Sequence, residues 1–201
     1  MSIFDYKIFN NREKNYLNKY YINDAENQKF IIDKRQKIFN NSSFGNQVNS
    51  DFVFFNKGFS LSFFMGGILL IEENLEAIKK IMLNYGENYF FIVKDDLDNT
   101  IVLKYPRTIS WAEITDCMEE KNQKDFNNIV YELFSLPEDN YFIYGESCNW
   151  GIYAAMDYVY PIEFWGIKNE GLLPKISNED KKSLISWYPD KTSLFLKSWN
   201  S

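Results

Sequence analysis

The residues most suggestive of chemistry lie between Gly145 and Glu163: Glu146-Ser147-Cys148 in a turn-rich break, Asp157 after the next apolar run, and Glu163 in the run after that. A serine or cysteine nucleophile is ordinarily activated by an imidazole, or by another cationic neighbour that lowers its pKa. The chain has no histidine. Gly145-Glu146-Ser147-Cys148-Asn149 also lacks the glycine that follows the serine in a nucleophile elbow. Glu146 paired with Asp157 or Glu163 has the residue types for acid and base at a glycosidic bond, with Trp150 and Tyr153 as stacking platforms. The competing reading is that these are solvated carboxylates on hairpin edges, with no catalytic role. The same aromatics serve equally as core or as interface anchors, since Tyr and Trp offer large contact areas at low entropic cost.

Metal chemistry is restricted in the same way. Without histidine and with only Cys117 and Cys148, a closed structural zinc site of the ordinary kind is excluded. Asp96-Leu97-Asp98 lacks the later glycine and distant glutamate of a calcium loop, and reads as a polar hairpin loop. Gly66-Gly67 has no strand–loop–helix phosphate motif around it and reads as a bulge or tight turn. No metal and no cofactor are expected.

Charge is unevenly distributed along the 201 residues. Residues 1–50 hold 8 basic and 5 acidic side chains, and residues 51–107 hold 6 and 8. Residues 108–170 hold Lys121, Lys124 and Lys168 against 12 acids, and residues 171–201 hold 5 basic and 3 acidic. The acidity of a chain with net charge −6 is thus concentrated around the turn described above. Such a field disfavours nucleic acid and anionic membrane and favours a basic partner. The longest apolar run, Phe63 to Ile71, is interrupted by Gly66-Gly67 and falls short of the roughly 20 residues that span a bilayer. The N-terminus lacks a basic start followed by an apolar run, and two cysteines make no disulfide framework, so a reducing cytoplasm is expected.

The elements that must position these residues follow from periodicity. Asn11–Tyr21 reads as a short helix, and Asn23-Asp24 offers cap oxygens for a second from Ala25 to Phe39, with Phe30, Ile31, Ile38 and Phe39 as its apolar positions. This polar front end reads as a helical layer on the sheet or, alternatively, as a partner-binding arm. Phe52–Phe55 and Phe59–Met65 are strand-like, with Lys57-Gly58 as a turn. Asn74 is the expected cap of an amphipathic helix through Leu75, Ile78, Ile81, Met82 and Tyr85, which Gly86 ends. Tyr89–Val93 and Ile101–Tyr105 form a hairpin closed by Pro106.

Thr108 or Ser110 caps a helix from Trp111 to about Glu120, and Asp125–Ser135 carries the strongest helical period. Tyr141–Tyr144, Trp150–Tyr153 and Ile162–Trp165 read as three strands, with Phe164 and Trp165 facing opposite sides. Ser177-Asn178-Glu179-Asp180 reads as a capping box opening a helix to Trp187, and residues 193–199 as a closing strand or short helix. Without a regular βαβ repeat, the expected class is α+β: an antiparallel or mixed sheet with helices packed on it. One domain over residues 1–201 is expected, with a helical N-terminal segment (1–50) and an α+β core (51–201).

The runs Tyr141-Phe142-Ile143-Tyr144-Gly145-Glu146-Ser147, Asn149-Trp150-Gly151-Ile152-Tyr153 and Tyr160-Pro161-Ile162-Glu163-Phe164-Trp165-Gly166 resemble segments of bacterial immunity proteins. These are the small cytoplasmic antidotes of contact-dependent inhibition and related polymorphic toxin systems. The resemblance implies a protein without chemistry of its own that binds a cognate toxin domain, often a basic nuclease, and blocks its active site or substrate groove. It implies that Glu119, Glu120, Glu146, Asp157 and Glu163, with Trp150 and Tyr153, contribute to the toxin-binding surface. The rival readings are a carbohydrate-binding or carbohydrate-active protein and a non-enzymatic regulatory or scaffold domain.

Overall fold

A computed structural model of the chain describes residues 11–39, 55–65, 72–94, 101–115, 140–155, 162–175 and 177–187. Its centre is a sheet of six strands: β1 (Ser60–Met65), β2 (Tyr89–Lys94), β3 (Ile101–Pro106), β4 (Asn140–Gly145), β5 (Trp150–Ala155) and β6 (Ile162–Ile167). They lie in the order β1-β6-β5-β4-β2-β3, and every neighbouring pair is antiparallel. Helices accompany it: α1 (Asn11–Tyr20), α2 (Ala25–Arg35), α3 (Glu72–Asn84), the short α4 (Trp111–Thr115) and α5 (Asn178–Trp187). The α+β class expected from sequence is therefore the class observed, with the sheet wholly antiparallel.

Because successive strand residues point to opposite faces, each strand feeds two cores. On one face, Phe90, Ile92, Leu103, Tyr105, Ile143, Trp150, Ile152 and Trp165 pack with Leu75, Ile78, Ile81 and Met82 of α3 and Tyr16, Leu17 and Tyr20 of α1. On the other, Phe91, Val93, Val102, Phe142, Tyr144, Tyr153 and Phe164 pack under Ile31 of α2 and the following Ile38 and Phe39. Phe164 and Trp165 thus face opposite cores, as expected. Both faces of the sheet are covered, which is why its strands read as nearly continuous apolar runs rather than as clean alternation.

The N-terminal helices are layers of the fold. Asp24 caps α2, its Oδ1 accepting from Asn27 N at 2.7 Å. Tyr144 Oη donates to the Ile31 carbonyl at 2.8 Å, and the Arg35 guanidinium lies 4.7 Å from the Phe142 ring centroid. Phe30, expected on the apolar face, is 61% exposed and lies under the Lys34 ammonium instead. On the opposite face the hydroxyls of Tyr16 and Tyr105 share a hydrogen bond. Leaving α1, the chain bridges to the outer strand β3 at Tyr21 and Leu103, and Ile22 N donates to the Val102 carbonyl at 3.0 Å.

Two close approaches require glycine. Gly151 and Gly166 lie opposite each other on β5 and β6. A Cβ at Gly151 would meet Phe39 at 2.8 Å, and one at Gly166 would meet Phe55 at 2.2 Å. The glycine pair leaves the space in which the Phe39 and Phe55 rings pack, 4.9 Å apart.

Gly86 ends α3 with φ +68°, the left-handed conformation expected after a helix. Asn74 is not the helix cap: α3 begins at Glu72, and the Asn74 amide is spent on Glu163. Ser110 does cap α4, accepting from Glu113 N at 3.1 Å while Glu113 Oε2 accepts from Ser110 N at 3.1 Å. Asp96–Asp98, the Asp125–Ser135 helix, Gly66-Gly67 and residues 193–199 lie outside the described residues. No helix among the described residues is long and apolar enough to cross a membrane.

Candidate functional site

The turn Gly145–Asn149 between β4 and β5 is built by carboxylates rather than exposed by them. Glu87, in the turn after α3, is 4% exposed. Its Oε1 accepts from Ser147 N at 2.6 Å and its Oε2 from Trp150 Nε1 at 2.6 Å. Glu146 reaches the other way, its Oε2 accepting from Asn88 N at 3.0 Å and Tyr89 N at 3.1 Å. Arg107 Nε donates to the Glu87 carbonyl at 3.1 Å, so the end of the β2–β3 hairpin joins the same cluster. Lys34 Nζ, from α2, donates to the Glu146 carbonyl at 3.3 Å.

Serine and cysteine in this turn are also committed locally. Ser147 Oγ accepts from Asn149 N at 3.2 Å. Cys148 is buried at φ +57°, a conformation unusual outside glycine, and its Sγ donates toward the Glu146 carbonyl at 3.8 Å. Burial pushes the Cys148 thiol up, against the pull of Lys34 and Lys37. A thiol raised in this way is a poor nucleophile.

Glu163 forms a second carboxylate–indole pair on the same face. Its Oε2 accepts from Asn74 Nδ2 at 2.9 Å and from Trp165 Nε1 at 3.3 Å. Its Oε1 is buried without a hydrogen-bond partner among the described residues. Burial pushes the carboxyl up to about 7, opposed by the Trp165 indole N–H.

The expected docking surface changes accordingly. Trp150, Tyr153 and Glu163 are 0%, 2% and 2% exposed, so their side chains offer no contact area to a partner in this fold. Sequence showed strands rich in aromatics but not that helices cover both of their faces. Glu146 is half-buried and engaged with backbone amides. Glu119, Glu120 and Asp157 lie outside the described residues.

Glu87, missed by sequence reading, is the acid that organises the turn. Its only signal was a charged residue directly after the helix-ending Gly86. Elsewhere, Glu113 accepts from Lys19 Nζ at 2.8 Å, and that lysine with the Ser110 amide holds the Glu113 carboxyl well below its usual range. No cluster of metal-ligating side chains occurs among the described residues. Comparison with protein-family models, curated proteins and solved structures finds no match to this chain.

Proposed function

We propose that this chain is a non-catalytic binding protein that neutralises a basic toxin domain, in the manner of the immunity proteins that Tyr141–Gly166 resembles. The observation that carries the reading is the concentration of acids in residues 108–170. Three of those acids are already occupied: Glu113 by Lys19, Glu146 by the Asn88 and Tyr89 amides, and Glu163 in the core. The remaining excess falls chiefly on residues 116–139, which hold seven acids, Glu119 and Glu120 among them, against Lys121 and Lys124. Asp157 adds another. These acids steer a basic partner and mimic the charge of its substrate. The carbohydrate reading loses its stacking platforms, because Trp150 and Tyr153 are both buried.

The test is co-expression with a candidate toxin, the C-terminal domain of a large secreted protein encoded immediately upstream. Wild-type chain should protect the cell. A Glu119→Lys, Glu120→Lys, Asp157→Lys variant should fail to protect, while Glu76→Lys, on the exposed side of α3, should protect normally. Undiminished protection by the triple variant would sink the acidic-surface assignment. A stable partner in pull-downs that is no toxin would instead favour a regulatory or scaffold role.

A further inference from the structure

We propose that Glu163 is a proton-operated latch between α3 and the β5–β6 strand pair, closed while its buried carboxyl is neutral and driven open when ionisation places charge on the buried, unpartnered Oε1. The geometry assigns the proton to one oxygen. Oε2 accepts from both Asn74 Nδ2 and Trp165 Nε1, as a carbonyl oxygen can, whereas Oε1 has no hydrogen-bond partner among the described residues and no solvent. An ionised carboxylate would leave half of its charge on Oε1, which is closed to solvent and has no donor among the described residues. A neutral acid with its hydrogen on Oε1 keeps both bonds to Oε2 and avoids that charge.

Among the described residues no compensating cation faces this group. Its register neighbours are Ala154 on β5 and Phe64 on β1. The contact from α3 is the neutral Asn74 amide, and that from β6 itself is the Trp165 indole. The acids in the first turn of α3, Glu72 and Glu73, are exposed and carry the same sign. Burial dominates the carboxyl's titration, raising it to about 7, within reach of ordinary changes in pH. Glu87, the other buried carboxylate on this face among the described residues, has a donor on each oxygen and so serves as an internal contrast.

The experiment is a titration of the intact protein from pH 5 to 8.5, following glutamate side-chain carboxyl carbons and tryptophan indole N–H resonances by NMR. The Glu163 carboxyl and the Trp165 indole should share a midpoint near 7, while the Trp150 indole stays flat. Amide exchange in β6 and the first turns of α3, corrected for its intrinsic pH dependence, should rise about tenfold per pH unit up to that midpoint and then level off. Glu163→Gln keeps a carbonyl acceptor and cannot ionise, so both pH dependences should vanish. A Glu163 carboxyl titrating below pH 5, a Trp165 indole that does not follow it, or equal pH dependence in Glu163→Gln would each overturn the latch. Should that variant fail to fold, the wild-type titration decides alone.

Discussion

Glu87 and Glu146 each tie down the turn that carries the other. Glu87 accepts from Ser147 N at 2.6 Å, one residue beyond Glu146, and Glu146 accepts from Asn88 N at 3.0 Å, one residue beyond Glu87. The two arms differ in burial. Glu87 serves the buried Trp150 indole, whereas the Asn88 and Tyr89 amides bound by Glu146 belong to exposed residues. Removing Glu87 leaves an indole N–H unsatisfied in the core, so Glu87→Ala should cost on the order of 3 kcal/mol. Water can replace Glu146, so Glu146→Ala should cost about 1 kcal/mol or less. Urea denaturation of the two variants checks the order; equal losses would contradict it.

Gly145 gives the same cluster a steric test. A Cβ there would sit 2.2 Å from Glu87 Oε2. Carboxylate ends usually swing aside cheaply, but this one is held by Ser147 N and Trp150 Nε1. Gly145→Ala should therefore destabilise strongly in the wild type and little in a Glu87→Ala background. A double-mutant cycle should show a coupling of roughly 1–3 kcal/mol. Additive effects would mean that the carboxylate relocates freely.

Stability should depend on pH through Glu163. Its folded pKa, about 7, lies above the ordinary carboxylate value of 4.5, so between those values the folded chain binds more protons than the unfolded chain. Stability from this group is complete below pH 4.5 and is lost as pH rises to 7, a change on the order of 3 kcal/mol. Glu163→Gln should remove that loss and be the more stable protein at pH 8. Thermal melts at pH 5.5 and 8 measure it, and parallel shifts in wild type and variant would count against the assignment.

These carboxylates also mark where sequence was legible and where it was not. Local signals identified their own elements: Asp24 before α2, Ser110 before α4, Gly86 after α3 and the three aromatic strands all lie where their side chains imply. Strand order and the second covered face depend on contacts between distant residues, such as Tyr144 with Ile31, and no local period encodes them. That is why Trp150 and Tyr153 read equally as core or surface, and why Asn74 passed for a cap when its partner is Glu163. An acid such as Glu87 is indistinguishable in sequence from a solvated one until its donors are brought to it.

The last prediction concerns Cys148. Its thiol is buried and pushed up by that burial, with Lys34, Lys37 and Lys168 pulling the other way. Burial dominates, so the native protein should hold little thiolate at pH 8, and reagent should reach the sulfur only when the β4–β5 turn opens. In a Cys117→Ser background, which leaves Cys148 as the single cysteine, labelling by a disulfide reagent should run at least about tenfold slower in the native protein than in denaturant. Glu87→Ala, which frees the Ser147 amide and loosens the turn, should accelerate it. Native labelling as fast as that of the unfolded chain would show that the thiol is exposed and would reopen the turn as a site of cysteine chemistry.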